Sequence, residues 1–132
     1  MEGTRAVDRA SRQIAERRGR RAESLAVVWL NLTGWRVVAR NLVTPHSEVD
    51  IVAVRGNVLA VVEVKARATL ATAEESLTFA TRQRLERAAE HIRERSPYAV
   101  RPDGREREVR VDALLVSGWR VRHVKGAWYG GD

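Results

Sequence analysis

The sequence contains no cysteine. That excludes a disulfide framework, a thiolate metal site and a cysteine nucleophile. Its three histidines, His46, His91 and His123, lack the paired spacing of zinc ligands, which argues against a structural zinc site. No apolar run approaches the length of about eighteen residues needed to cross a bilayer. The opening segment MEGTRAVDRASRQIAERRGRRAE also lacks the apolar stretch of a secretory signal, so the expectation is a cytoplasmic protein without membrane contact. Lysine is nearly missing too: of 24 basic residues only Lys65 and Lys125 are lysine. A chain that otherwise uses arginine and keeps lysine at 65 points to a need there for a compact charge, or for an amine that can lose its proton.

What is present is positive charge, +7 net over 132 residues. That length suits one domain with a single core. Clustered arginine gains affinity for phosphates by displacing counterions, so nucleic acid is the first candidate partner. The other source of such a charge is a compositional habit that says nothing of fold.

Residues 1–19 are charged and poor in aliphatic side chains, and form either an Ile14-centred helix or a mobile basic arm. From about 20 to 33, Ala22, Leu25, Ala26, Trp29 and Leu30 recur at helical spacing and Gly34 supplies the stop. WRVVARNLV is expected to be a strand, and TPHS breaks the chain before the stretch EVDIVAVRGNVLAVVEVKAR, two β-branched runs joined through Gly56-Asn57. ARATLATAEESLT is a connector of undetermined order. Over about 76–95 the stripe Leu85, Ala88, Ala89 and Ile92 marks a second amphipathic helix. SPYAVRPDGRE is a loop, EVRVDALLV a strand with Val109, Val111, Ala113 and Leu115 on one face, GWRVRHVKGAW an edge strand, and 129–132 a frayed tail. Helix, three strands, helix and two strands make an α/β or α+β domain over 20–128, a single sheet flanked by helices, with α/β as the expected class.

Four charges interrupt the apolar pair of strands: Glu48, Asp50, Glu63 and Lys65. With a two-residue turn at Gly56-Asn57, Arg55 faces Val58, Asp50 faces Glu63 and Glu48 faces Lys65. The first carboxylate pair then falls on a non-hydrogen-bonded position, where Cα atoms lie about 4.5 Å apart. Val49, Ile51 and Ala53 share an apolar face with Val58, Ala60, Val62 and Val64, and all four charges gather at one end of the other face. Opposed like charges destabilise a strand pair unless a pKa shifts or a cation is gained. Magnesium, which takes one or two carboxylates with waters and substrate phosphate, suits Asp50 and Glu63. Lys65, two residues beyond Glu63 on the same face, is placed to act on a phosphate or a water. The bland alternative is frayed strand ends carrying a Glu48 to Lys65 surface salt bridge, worth about 0–1 kcal/mol.

The ordered set Glu23, Glu48-x-Asp50 and Glu63-Val64-Lys65 resembles the PD-(D/E)xK nuclease superfamily. The wider run GRRAESLAVVWLNLTGWRVVARN, EVDIVAV, VVEVKAR and VDALLV is similar to the bacterial YraN family, itself similar to Holliday junction resolvases, over about residues 19–125. The resemblance implies a restriction-endonuclease-like mixed sheet flanked by helices. It also implies Asp50 and Glu63 as ligands of Mg2+ or Mn2+, Lys65 as the catalytic lysine, Glu23 as an acidic residue reaching in from the first helix, and Gln83 as a polar residue approaching from the second. Glu48, His46 and Arg82 stand around that site or toward substrate. Ser47 replaces a glycine usual before the acidic motif, Arg82 stands near an expected lysine, and Val111 stands where an aromatic is common; none of these removes a metal ligand.

Other residues carry two readings each. Asp112 is either a partner for a nearby arginine or a support for the site. His46 either touches phosphate or does nothing specific. Trp29 and Trp35 are expected in the core, while Trp119 and Trp128 are candidates for stacking on bases. Arg82, Arg84, Arg87, Arg93 and Arg95 either line a phosphate track or form a solvated face with Glu86, Glu90 and Glu94. The expected function is a metal-dependent endonuclease acting on DNA, branched or junction-like forms included, with a homodimer as one arrangement. The alternative is a nucleic-acid-binding module that keeps the nuclease fold without turnover.

Overall fold

The computed structural model describes residues 2–126. Helix α1 runs over Glu2–Leu32 and buries Ala22, Ala26 and Leu30 at i, i+4 spacing, with Leu25 and Trp29 half-buried beside them. Gly34, at φ +93°, ends it, and the Trp35 N–H donates back to the Leu30 carbonyl at 2.9 Å, the wrapped bonding of a glycine cap. The helical backbone thus begins far earlier than the stripe from residue 20 predicts, because alanine, arginine, glutamate and glutamine before it are strong helix formers. Trp128 and the tail 129–132 lie outside the described residues.

Five strands follow in the spatial order β1-β2-β3-β4-β5: β1 (Arg36–Val43), β2 (Glu48–Arg55), β3 (Val58–Ala66), β4 (Glu108–Ser117) and β5 (Arg120–Val124). Only β3 and β4 pair in parallel, so the sheet is mixed, as expected. The link between them carries α2 (Leu70–Glu75) and α3 (Phe79–Arg95), then a short 3-10 turn at Pro97–Ala99. The connector of undetermined order is therefore partly helical. Thr69 starts α2 by accepting from the Thr72 N–H at 3.0 Å while its own N–H reaches Thr72 Oγ1 at 3.3 Å. A threonine in place of the usual Glu or Gln hides that capping box in the sequence. Thr78 caps α3 in the same sense.

The sheet is apolar on both faces because helices cover both. On one side Ala26, Leu30 and Trp35 pack on Ile51, Ala53, Ala60, Val62 and Leu114. On the other, Leu85, Ala88, Ala89 and Ile92 of α3 pack on Val52, Val54, Leu59, Val61, Val109 and Val111. Ala113 and Leu115 continue that side under α2, against Ala73. Gly56, at φ +55°, takes the first position of the β2–β3 turn, where a two-residue hairpin needs a residue free to adopt positive φ. No helix among the described residues is long and apolar enough to cross a membrane.

One carboxylate is wholly inside. Asp112 on β4 accepts from Arg110 Nε and Nη2 at 2.8 and 2.9 Å, from the Gly126 N–H at 2.8 Å, and lies 2.8 Å from His123 Nε2. Trp29 and Trp35 flank the His123 ring at 5.4 and 5.8 Å, so the group ties α1 and the turn that follows it to β4 and β5. Asp112 thus takes the first of its two readings, the partner of a nearby arginine. Burial works to raise its pKa, but the donors from His123, Arg110 and Gly126 outweigh it and hold the carboxyl below the usual range. A depressed folded-state pKa contributes stability that is present above the unfolded value and is lost as pH falls toward the folded one. Asp112→Ala should therefore lower the unfolding free energy by about 3–5 kcal/mol in urea titrations at pH 7, with the difference from wild type shrinking as the pH is taken below the ordinary carboxylate range.

Candidate functional site

The β2–β3 ladder follows the register set by the turn from Arg55↔Val58 to Ile51↔Val62, and stops there. Both strands continue, but with other neighbours. β2 stays on β1 through Leu42↔Val49 and Val43↔Glu48, and β3 stays on β4 through Glu63↔Ala113 and Lys65↔Leu115. The direct Asp50–Glu63 and Glu48–Lys65 strand pairs expected from the sequence are therefore not part of the ladder. In their place Asp50 Oδ2 accepts the Val64 N–H at 2.8 Å, giving that donor a side-chain partner where the strand-to-strand bond ends.

A second irregularity sits at the same level. Asn41 on β1, between the pairs Arg40↔Ile51 and Leu42↔Val49, has φ +50°, a left-handed conformation that asparagine tolerates better than most residues. Alternation breaks across it. Val49, expected beside Ile51 and Ala53, is instead buried with Val52 and Val54 on the α3 side, and Leu42 packs there too. The sheet edge is thus re-aimed around Asp50.

A cleft of about 470 Å³ opens at this end of the sheet, lined by Gly19, Ala22 and Glu23 of α1, Asp50, and β3 from Glu63 onward. Glu63 is 6% exposed, with Lys65 Nζ 3.4 Å from one carboxylate oxygen and Arg84 Nη2 of α3 3.7 Å from the other. Burial, foremost, and then the Asp50 charge push the Glu63 carboxyl above the usual range, against the pull of Lys65 and Arg84. Asp50 is raised as well, by burial first and also by Glu48, although the Val64 N–H and the two cations act the other way. Glu23 is raised by burial and by Asp50, against Arg40 and a hydrogen bond from Asn41. Three carboxyls thus keep their protons more firmly than they would in water.

The structure brings Glu23, Asp50, Glu63 and Lys65 together in one cleft. Glu48 is exposed at the start of β2, near enough to act electrostatically on Glu23 and Asp50. His46 is exposed and edges toward His91, ring centroids 6.4 Å apart, away from the cleft lining. Gln83 is exposed and lines a separate depression with Glu86 and Arg87, outside the acidic cleft. Two residues span about 200° of helix, so Gln83 lies on the far side from Leu85. Arg84, at the border of the buried stripe, is the α3 residue that meets Glu63. Arg82 pairs with Glu86 at 3.1 Å and Arg93 pairs with Glu90 along the helix, as in the solvated-face reading. Arg84, Asn41 and Arg40 lie outside the site expected from the sequence. Helical phase is the available signal for Arg84, whereas nothing in the sequence marks the turn at Asn41.

Among the described residues no three histidine, aspartate or glutamate side chains are grouped closely enough to cage a metal ion. Asp50 and Glu63 fit a cation that needs only one or two carboxylates and keeps waters: each is partly desolvated, each is disturbed by acidic neighbours, and both face one opening.

The sequence model of a family described as "Uncharacterised protein family UPF0102" matches residues 22–116. The UPF0102 protein of Paramagnetospirillum magneticum is 47% identical over 88% of this chain and 90% of its own. That of Parvibaculum lavamentivorans is 48% identical over 86% and 83%, and that of Caulobacter sp. strain K31 46% identical over 83% and 76%.

A carboxyl whose pKa is raised by folding weakens the fold above that raised value and regains stability as pH falls through it toward the unfolded value. Asp50→Asn, which keeps an oxygen for the Val64 N–H, should accordingly raise the urea midpoint at pH 7 without divalent metal. The gain should diminish as pH is lowered into the carboxylate range, as equilibrium unfolding monitored by circular dichroism will show.

Proposed function

The chain belongs to the uncharacterised protein family UPF0102, and from that premise we propose that its acidic cleft is a metal-dependent phosphodiesterase site acting as an endonuclease on DNA. The observation that carries this is the juxtaposition of Asp50, Glu63 and Lys65 in one opening where β2 and β3 part, with Glu23 across it from α1. Asp50 and Glu63 would hold Mg2+ or Mn2+. Such a cation supplies charge neutralisation at the phosphate and a more acidic water.

The chain's own groups do the rest. Lys65 is fixed beside Glu63 by their 3.4 Å ion pair and lies partly open to the cleft, where its ammonium donates to a phosphate oxygen and offsets charge that grows in the transition state. Glu23, whose carboxyl is raised by burial and by Asp50, accepts a proton from the water that adds to phosphorus as the ester P–O bond on the opposite side breaks. The departing oxygen takes its proton from solvent at the open cleft. Burial of Glu63 behind α3 keeps bulk water from one side of the pair. Phosphate is drawn to the site by a chain carrying net charge +7.

A different observation favours binding without turnover. Glu63 already meets Lys65 and Arg84, a pairing that holds the acid with no added cation. In that case the protein is a nucleic-acid-binding module in which the ion pairs stiffen the end of the sheet.

Calorimetric titration of manganese into wild type and Asp50→Ala, followed by cleavage assays over single-stranded, duplex and branched DNA, separates the two. The phosphodiesterase requires manganese binding and cutting in wild type and the loss of both in Asp50→Ala and Glu63→Ala. Lys65→Ala should retain folding and metal binding while cutting falls about 10²–10³-fold. Absence of cutting with every divalent metal, with salt-sensitive DNA binding intact in Asp50→Ala, establishes the module instead.

A further inference from the structure

A second cleft of about 430 Å³ adjoins the acidic one, and the two share Ala22, Ala66 and Arg67 as a common wall. The character changes across that wall. One side holds Glu23, Asp50 and Glu63; the other is lined by Arg17, Arg21 and Arg67 and, among the described residues, by no carboxylate. Arg17 and Arg21 stand at i, i+4 on α1, where like charges repel, and both are exposed. Neither has an acidic partner among the described residues, in contrast to Arg82 and Arg93 of α3.

The floor of this basic groove is tied down. The Arg67 N–H donates to the Val116 carbonyl at 3.1 Å, Arg67 Nη1 to the Ala66 carbonyl at 2.7 Å, and Ser117 Oγ to the Ala68 carbonyl at 2.8 Å. Gly118, at φ +57°, closes the far wall in the β4–β5 turn. The next residue is Trp119, 87% exposed, the most exposed of the large apolar side chains among the described residues. A trough with arginines along it, an exposed aromatic residue in the turn that closes its far wall and an acidic opening at its end matches a site that follows one strand: cations track the backbone, and the ring accepts a base.

We propose that this trough binds the single-stranded segment of a DNA substrate. Backbone phosphates lie along Arg17, Arg21 and Arg67, and an unpaired base stacks on Trp119. This deepens the phosphodiesterase reading, on which it rests, by naming the substrate class: DNA with unpaired nucleotides beside the bond that is cut. Duplex alone satisfies the arginines but leaves the ring without an unpaired base, since its internal paired bases are already stacked on both faces.

The test is fluorescence anisotropy in EDTA, which reads binding without cutting, using labelled blunt duplex, single strand and duplex with an unpaired overhang across a salt series. Arg17→Gln/Arg21→Gln should weaken every form and flatten the slope of log affinity against log salt by roughly 0.7 for each single-strand phosphate no longer neutralised, while Arg17→Lys/Arg21→Lys restores the slope. Trp119→Ala should weaken the overhang and single-strand forms by roughly five- to a hundredfold and leave the blunt duplex unchanged. An unchanged salt slope in the glutamine variant, or a Trp119→Ala effect equal on all three forms, overturns the proposal. Manganese calorimetry on the same variants keeps the two readings apart. Wild-type metal binding and cleavage with an unaltered salt slope sinks the track alone. No metal binding and no cleavage, with slope and overhang selectivity as stated, sinks the phosphodiesterase alone.

Discussion

A single hydrogen bond between a side chain and a backbone donor organises this molecule's open end. Asp50 Oδ2 takes the Val64 N–H that a continuing antiparallel ladder would have paired strand to strand. A buried N–H needs some acceptor, so β2 and β3 can separate at this point without leaving one orphaned. The separation is what makes a cleft rather than a closed hairpin. It also turns the backbone next to Asp50, where Asn41 enters the left-handed region and Val49 changes sides. Glu63, held by β4 on its other flank, then faces an opening instead of a neighbouring strand.

Two settings for a carboxylate are contrasted within one sheet. Asp112 is the more deeply buried by exposure, yet its carboxyl is depressed because Arg110, His123 and Gly126 all donate to it. Asp50 and Glu63 are raised because burial is matched by fewer donors and compounded by acidic neighbours. Hydrogen bonding to the charged form decides the direction. The first arrangement fastens β5 and its exit to the core. The second holds charge in an unfavourable place, which a fold tolerates where a ligand completes the site.

The basic charge is likewise sorted by environment. On α3 the arginines are largely taken up by acids on the same helix or by Glu63. On the stretch of α1 beside the cleft, Arg17 and Arg21 face a groove lined without acids among the described residues. Net charge alone would not distinguish the two helices. Their positions around the parted strands do, and they place Arg17 and Arg21 beside the cleft that holds Asp50 and Glu63.

Periodicity in the sequence by itself determined the α/β class, the two main helices, the turn at Gly56 and the register from Arg55↔Val58 to Ile51↔Val62, because alternation and turn chemistry are local properties. The charges that break the apolar strand pair marked Asp50, Glu63 and Lys65 as one group, whereas Glu23 joined them only through the family resemblance. Only the tertiary structure decided where that register ends, which side Val49 takes, and that Arg84 rather than Gln83 meets Glu63. The reason is that each of these depends on partners far along the chain: β1 at Asn41, β4 holding β3, and the rotation at which α3 settles on the sheet.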